Sequence, residues 1–280
     1  MCSNRTGLTG APSAKDLGKS LRKFISTGGV SRGPTLYLYM VLVTLIAVFT
    51  AAYWMGVMGW ASTWLILVPA YYFIAICVHD AVHRSAHSHP TLNGLVGWTG
   101  AAVHGLSYAT LRRQHLHHHS HLGHESDDER YVYRSAWTLP LRLLSVHPFC
   151  YAAFVKAPKR ERWQGLGLLA CFGLGVACFP SELLWGWWLP MLISNAAFAW
   201  TSVYLPHGPL GPWIDRNMPQ LTGYHHEHHA VPQLPWYQVA SVARKRRWLE
   251  AKIEDAGLSD SIFCTTTTGR RVKNLSAKGA

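Results

Sequence analysis

The 280-residue sequence is short of charge, and above all of negative charge: Asp and Glu number 14, and charged residues make up only 14% of the chain. Soluble globular chains carry roughly a quarter. Residues 35–78 hold no Lys, Arg, Asp or Glu at all, and residues 163–206 hold only Glu182. Neither stretch contains a histidine. Intramembrane charges mark transport paths, so their absence argues against a membrane metal transporter. The six cysteines (2, 77, 150, 171, 178 and 264) form no CxxC pair. That excludes a zinc ribbon and a disulfide scaffold. No Gly-rich dinucleotide fingerprint and no haem-binding domain is evident, and neither His226-Glu227 nor His124-Glu125 continues to the histidine that HExxH requires.

What is present is apolar. At about 20 residues per crossing, 35–78 and 163–206 each read as a helical hairpin, the second turning at Pro180, Ser181 and Glu182. The first 34 residues are polar and the first apolar run lacks a cleavage pattern, so a removed signal peptide is not expected. The net charge of +12 would suit a polyanion partner. However, all 26 Lys and Arg lie outside the two hairpins: six in 1–34, ten in 79–162 and ten in 207–280. Two hairpins put those segments on one side, and the positive-inside rule makes it cytoplasmic. The charge thus marks topology, and nucleic acid is not needed to explain it.

The expected architecture is an all-α integral membrane protein, with four transmembrane helices as two hairpins and a cytoplasmic helical cap. A basic cytoplasmic segment (1–34) precedes a single membrane domain (35–256), and a largely disordered tail (257–280) follows. Residues 92–108 are apolar but Gly-rich and suit a re-entrant or interfacial helix. Residues 236–256 read as a basic amphipathic helix on anionic headgroups.

Seventeen histidines remain, nearly all in the cytoplasmic segments. His79 and His83 are spaced i, i+4, which brings two imidazoles to one helix face. His115, His118 and His119 are spaced i, i+3, i+4, and His225, His228 and His229 repeat that spacing. Eight convergent imidazoles exceed what one ion takes, so two ions are expected. Imidazole suits iron, copper, nickel and zinc alike. His117 or His121 could replace a ligand in the second cluster, and His226 could replace His225; His87 and His104 are weaker candidates. Asp80 and Glu227, inside the clusters, are the favoured partners for ligand N–H groups, ahead of Asp127 and Asp128.

The sequences HDAVH, HLHHH and HHEHH, the last followed by AVPQLPW, resemble the three histidine boxes of the membrane fatty acid desaturase and hydroxylase superfamily. The resemblance covers roughly residues 35–250. It implies a non-haem di-iron centre that uses O2, with the eight histidines above as ligands. It also implies one further ligand near the end of the last span, where His207 stands. It implies oxidation of a lipid drawn from the bilayer at the cell membrane, with a fatty-acyl chain ahead of a carotenoid ring. The two electrons per turnover would come from an external donor such as ferredoxin or a flavin reductase system.

Overall fold

The computed structural model describes residues 33–144, 150 and 157–255. The basic N-terminal segment up to residue 32, the tail from 257 and His147 lie outside them. The regular structure among the described residues is all helical, without strands. The chain divides into two compact units, and Val30–Ala240 contains the histidines, the cavity and every element described below except the greater part of the last helix. In the other, Ser241–Ala280 with Met1–Gly29, the described residues 241–255 are helical.

Helices α1 (Pro34–Trp54) and α2 (Trp60–Val82) form the first hairpin. The 21 residues of α1 rise about 31 Å, the thickness of a bilayer core. Among the described residues, these two helices are long and apolar enough to cross a membrane unbroken. They pack through Tyr39, Leu42, Ala70, Ile74 and Val78. Their other faces are apolar but open: Tyr37 is 73% and Leu65 76% exposed. A hydrophobic face this exposed suits lipid as its solvent.

Helix α3 (Pro90–Val103) has 14 residues and is too short to span, as expected of an interfacial segment. It seats against α2 and against Tyr108 because it lacks side chains at two points. A Cβ at Gly97 would meet the Tyr108 ring, and one at Gly100 would meet Val78. Asn93 closes the turn from α2: its Oδ1 accepts from Ala86 N at 3.1 Å and its Nδ2 donates to Ala81 O at 2.9 Å. Helix α4 (Tyr108–His121) follows, then the short α5 (Arg130–Tyr133) and α6 (Leu139–Leu144).

The second apolar region folds as α7 (Lys159–Cys178) and a helical run over 180–207. The chain breaks at Phe179, not over Pro180–Glu182, and Pro180 opens the next helix at its first position. Proline fits there because its missing N–H needs no partner, and it pushes the preceding residue out of the helical region. The run comprises α8 (Pro180–Leu183), α9 (Leu189–Ala199) and α10 (Leu205–His207), joined by π-helical turns at Leu184–Trp188 and Trp200–Tyr204. Each π turn lies just before a proline, Pro190 or Pro206. Proline cannot donate to the carbonyl four residues back, which leaves Gly186 and Ser202 to be accommodated by a wider turn. Side chains of α1 and α2 bond to carbonyls of the first π turn: Thr50 donates to Gly186 O at 3.5 Å and Trp64 Nε1 to Trp185 O at 2.8 Å. After α11 (Gly211–Asn217) come α12 (His225–Ala230) and α13 (Trp236–Asp255), the last a helix where 236–256 was expected to form one.

Candidate metal centre

Four elements converge at one end of the hairpins. His79 lies in the last turn of α2 and His83 caps it; α4 brings His115, His118 and His119; α10 ends on His207; α12 brings His225, His228 and His229. Two non-glycine residues adopt left-handed backbone at the junctions, Arg84 (φ 61°) after His83 and Tyr224 (φ 60°) before His225. Such residues cost about 1–2 kcal/mol each and persist where surrounding bonds hold them. Here Ser85 N donates to Asp80 O and Tyr224 N to Pro219 O, both at 2.8 Å.

The nine imidazoles fall into two sets. His79, His83, His115, His119 and His228 offer nitrogens within 4.8 Å of one another, and so do His118, His207, His225 and His229. Each HxxHH box is therefore divided. On α4, the i and i+4 rings join the first set and i+3 the second; on α12 the assignment is reversed. Positions i+3 and i+4 lie about 100° apart around a helix, so one helix can address two centres.

The spacing within each set is that of ligands around one cation. His115 Nε2 lies 3.0 Å from His83 Nε2 and 3.1 Å from His119 Nε2, which is itself 3.1 Å from His228 Nε2. In the second set, His225 Nε2 lies 2.8 Å from His207 Nε2 and 2.9 Å from His229 Nε2. At a metal–nitrogen distance of about 2.1 Å, adjacent ligand nitrogens sit about 3 Å apart.

The carboxylates decide which nitrogen is bare. Glu129 Oε1 lies 2.8 Å from His115 Nδ1, and Asp127 Oδ1 lies 2.9 Å from His118 Nδ1. Each takes the ring proton on Nδ1 and leaves the Nε2 lone pair facing inward. Two further bare or like nitrogens against His115 Nε2 cannot all be satisfied by shared protons, whereas a cation satisfies them together. His118 is fully buried, and among the described residues its Nε2 has no hydrogen-bond partner, with Glu129 Oε2 3.7 Å away. The donor set thus fits two metal ions held by imidazole.

Burial keeps most of these rings neutral. It depresses His83 to about 2 and His119 to about 4, and holds His115, His225, His228 and His229 well below the ordinary imidazole range, with the neighbouring rings adding to the effect. His118 is the exception. Burial pulls it down, but the Glu129 charge and the Asp127 hydrogen bond outweigh this and raise it. Burial opposes the Asp127 charge as well, yet hydrogen bonds from His118, Tyr133 and the Glu129 amide hold it at about 2. Burial pushes Glu129 up to about 7.

The supporting carboxylates differ from those expected. Asp80 accepts from Thr35 Oγ1 at 2.9 Å and from Trp236 N at 3.1 Å, and so ties α1 and α13 to α2 instead of orienting an imidazole. Glu227 is buried on α12 between the ligand positions. Asp127 takes the expected part, together with Glu129, which the histidine spacing alone did not single out. Their signal was the DDE run eight residues beyond the second box. The alternative ligands lie elsewhere. His117 and His121 stack on each other at 4.0 Å, with His117 3.1 Å from Asp128, and His226 is exposed. His87 Nδ1 accepts from His89 N. His104 is buried edge-on to Tyr71.

Beside the histidines lies an apolar cavity of about 140 Å³, walled by Val78, Val82, Ala101, Leu106, Leu111 and Phe198 and reached by His79, His115 and His225.

The fatty acid desaturase family model matches residues 58–259, which contain all nine histidines. This chain belongs to the fatty acid desaturase family. The desaturase match extends from the hairpin turn before α2 through α13. A beta-carotene ketolase from Paracoccus sp. (strain PC1) is 24% identical over 196 residues, spanning 59% of this chain and 71% of that protein. Family membership makes the protein an oxidoreductase of the desaturase and hydroxylase kind, and its histidine clusters are compatible with a metal site.

Proposed function

We propose that this desaturase-family protein is a membrane-bound di-iron oxidase that uses O2 and electrons from a separate donor to oxidise an unactivated C–H bond of a long-chain lipid. The observation that carries the reading is the meeting of nine imidazoles in two sets with an apolar cavity. His79, His83, His115, His119 and His228 would hold one iron, and His118, His207, His225 and His229 the other. When bound, the pair would supply reductive activation of O2 and removal of hydrogen from the substrate.

The chain's own residues prepare that chemistry. Asp127 and Glu129 keep protons on Nδ1 of His118 and His115, so that neither ring has to tautomerise when a metal binds. The depressed imidazoles bind metal at neutral pH without first losing a proton. The cavity wall is mostly apolar, with Val78, Val82, Leu111 and Phe198 offering an alkyl chain a surface beside the histidines.

Four membrane crossings complete the reading: α1, α2, α7 and the 180–207 run, with both termini and the histidines cytoplasmic, consistent with the placement of Lys and Arg. The exposed apolar faces of α1 and α2 suit a substrate that arrives through lipid. A fatty-acyl chain is the first substrate. A carotenoid ring is the second, favoured by the similarity to the beta-carotene ketolase. The donor is a separate protein, ferredoxin or a flavin reductase.

Expression in a host supplied with fatty acids or carotenoids, followed by mass spectrometry, tests the proposal. Loss of two hydrogens marks desaturation and gain of one oxygen marks hydroxylation. An unchanged lipid profile with an active donor present would refute it.

A further inference from the structure

The cavity beside the histidines is apolar except at a few points, and one of these is a primary amide. Gln114 lies on the core-facing side of α4, immediately before His115 and one turn before His118. It lines the cavity together with Leu111 and His115. The residue is 5% exposed, and among the described residues its buried Oε1 has no hydrogen-bond partner. Leaving a buried amide unpaired costs free energy that an apolar residue of the same shape would not incur. A cavity built for a plain hydrocarbon has no use for it. A hydrogen-bonding site discriminates sharply for a ligand that completes it.

We propose that Gln114 recognises an oxygen on the substrate, and hence that the enzyme acts on a lipid bearing a hydroxyl or carbonyl group close to the carbon it oxidises. The amide meets both groups: Oε1 accepts from a hydroxyl, and Nε2 donates to a carbonyl. Because Gln114 lines the same cavity as His79, His115 and His225, the oxygen it holds lies on a part of the lipid close to the metal ligands. Gln114 is thus a specificity-determining residue. The inference rests on the lipid-oxidase reading and narrows its substrate class.

The test is competition in one vessel with the full-length, iron-loaded enzyme and its electron donor. Two pairs are offered: β-carotene with its singly ring-hydroxylated derivative, and stearate with hydroxystearate. The ratio of consumption within a pair is insensitive to the amount of folded enzyme. Wild type is expected to favour the oxygenated member of one pair by about tenfold, the worth of one neutral hydrogen bond in a buried site. Gln114→Met, close in shape but without the amide, brings that ratio to near one while retaining its iron. Gln114→Leu serves in the same way if the Met variant does not fold. A wild-type ratio of one in both pairs, or a preference unchanged in the variant, overturns the inference alone, since a bound water then satisfies the amide. Wild type that consumes neither pair overturns the functional reading, and this inference with it.

Discussion

Asp127→Asn separates the two sets of histidines. The Asp127 carboxylate accepts four hydrogen bonds: from His118 Nδ1 at 2.9 Å, Tyr133 OH at 2.6 Å, Glu129 N at 2.9 Å and Gly123 N at 3.3 Å. An asparagine keeps one acceptor oxygen and replaces the other with a donor. If the amide nitrogen faces Gly123 N, two donors oppose each other. If it faces His118, the ring proton must move to Nε2, the atom the metal needs. Either arrangement also removes the negative charge that stabilises the ring. Removing a partner that orients a ligating histidine typically costs 10- to 100-fold in metal affinity, or about 1.4–2.7 kcal/mol. Asp127 touches only His118 of the nine rings, so the loss falls on the four-histidine set. The assay is iron per chain after dialysis against graded chelator. Wild type should release its iron late, whereas Asp127→Asn should lose about half at roughly 10- to 100-fold lower chelator strength. Loss of both irons together, or a profile identical to wild type, would refute this division.

Glu129→Gln is the complement: it loses the acceptor on His115 Nδ1 and should weaken the five-histidine set more than the four-histidine set in the same assay, although its charge also bears on His118. Asp80→Ala should lower the thermal unfolding midpoint in detergent, since Trp236 N and Thr35 Oγ1 both lose their acceptor at a cost of about 1–3 kcal/mol, with no change in iron stoichiometry. An unchanged midpoint would show that the tie is dispensable. Metal-free protein should also be sensitive to acid. His119 is depressed to about 4 and His83 to about 2, so between these values and the ordinary 6.5 the unfolded state binds more protons than the folded one. Stability from these rings is complete above about 6.5 and is lost as pH falls through that window. Unfolding midpoints measured from pH 8 to pH 5 should be flat at first and then fall, and a midpoint that rises towards pH 5 would contradict the neutral-imidazole reading.

Eight of the nine histidines were legible because i, i+3, i+4 spacing is a local property of a helix, and His207 came only from the family resemblance. Their division into two sets was not, since it depends on how α4 and α12 are rotated towards α2. Asp80 illustrates the limit. Adjacent positions on a helix point about 100° apart, so a residue next to His79 in sequence faces Thr35 and Trp236 in space. Asp127 and Glu129 reach their rings from the turn after α4, where no periodicity signals direction. The second hairpin was visible as an uncharged stretch, but its turn sits one residue earlier than the proline suggests, because proline starts a helix more readily than it occupies a bend.

Iron per chain in purified full-length protein, with O2 uptake measured alongside it, bears most directly on the central claim. Wild type should hold about two irons and consume O2 when electrons and lipid are supplied. His228→Ala should weaken one site and His229→Ala the other, and each should abolish O2 uptake. No iron, or a single zinc per chain with no O2 consumption, would contradict the account.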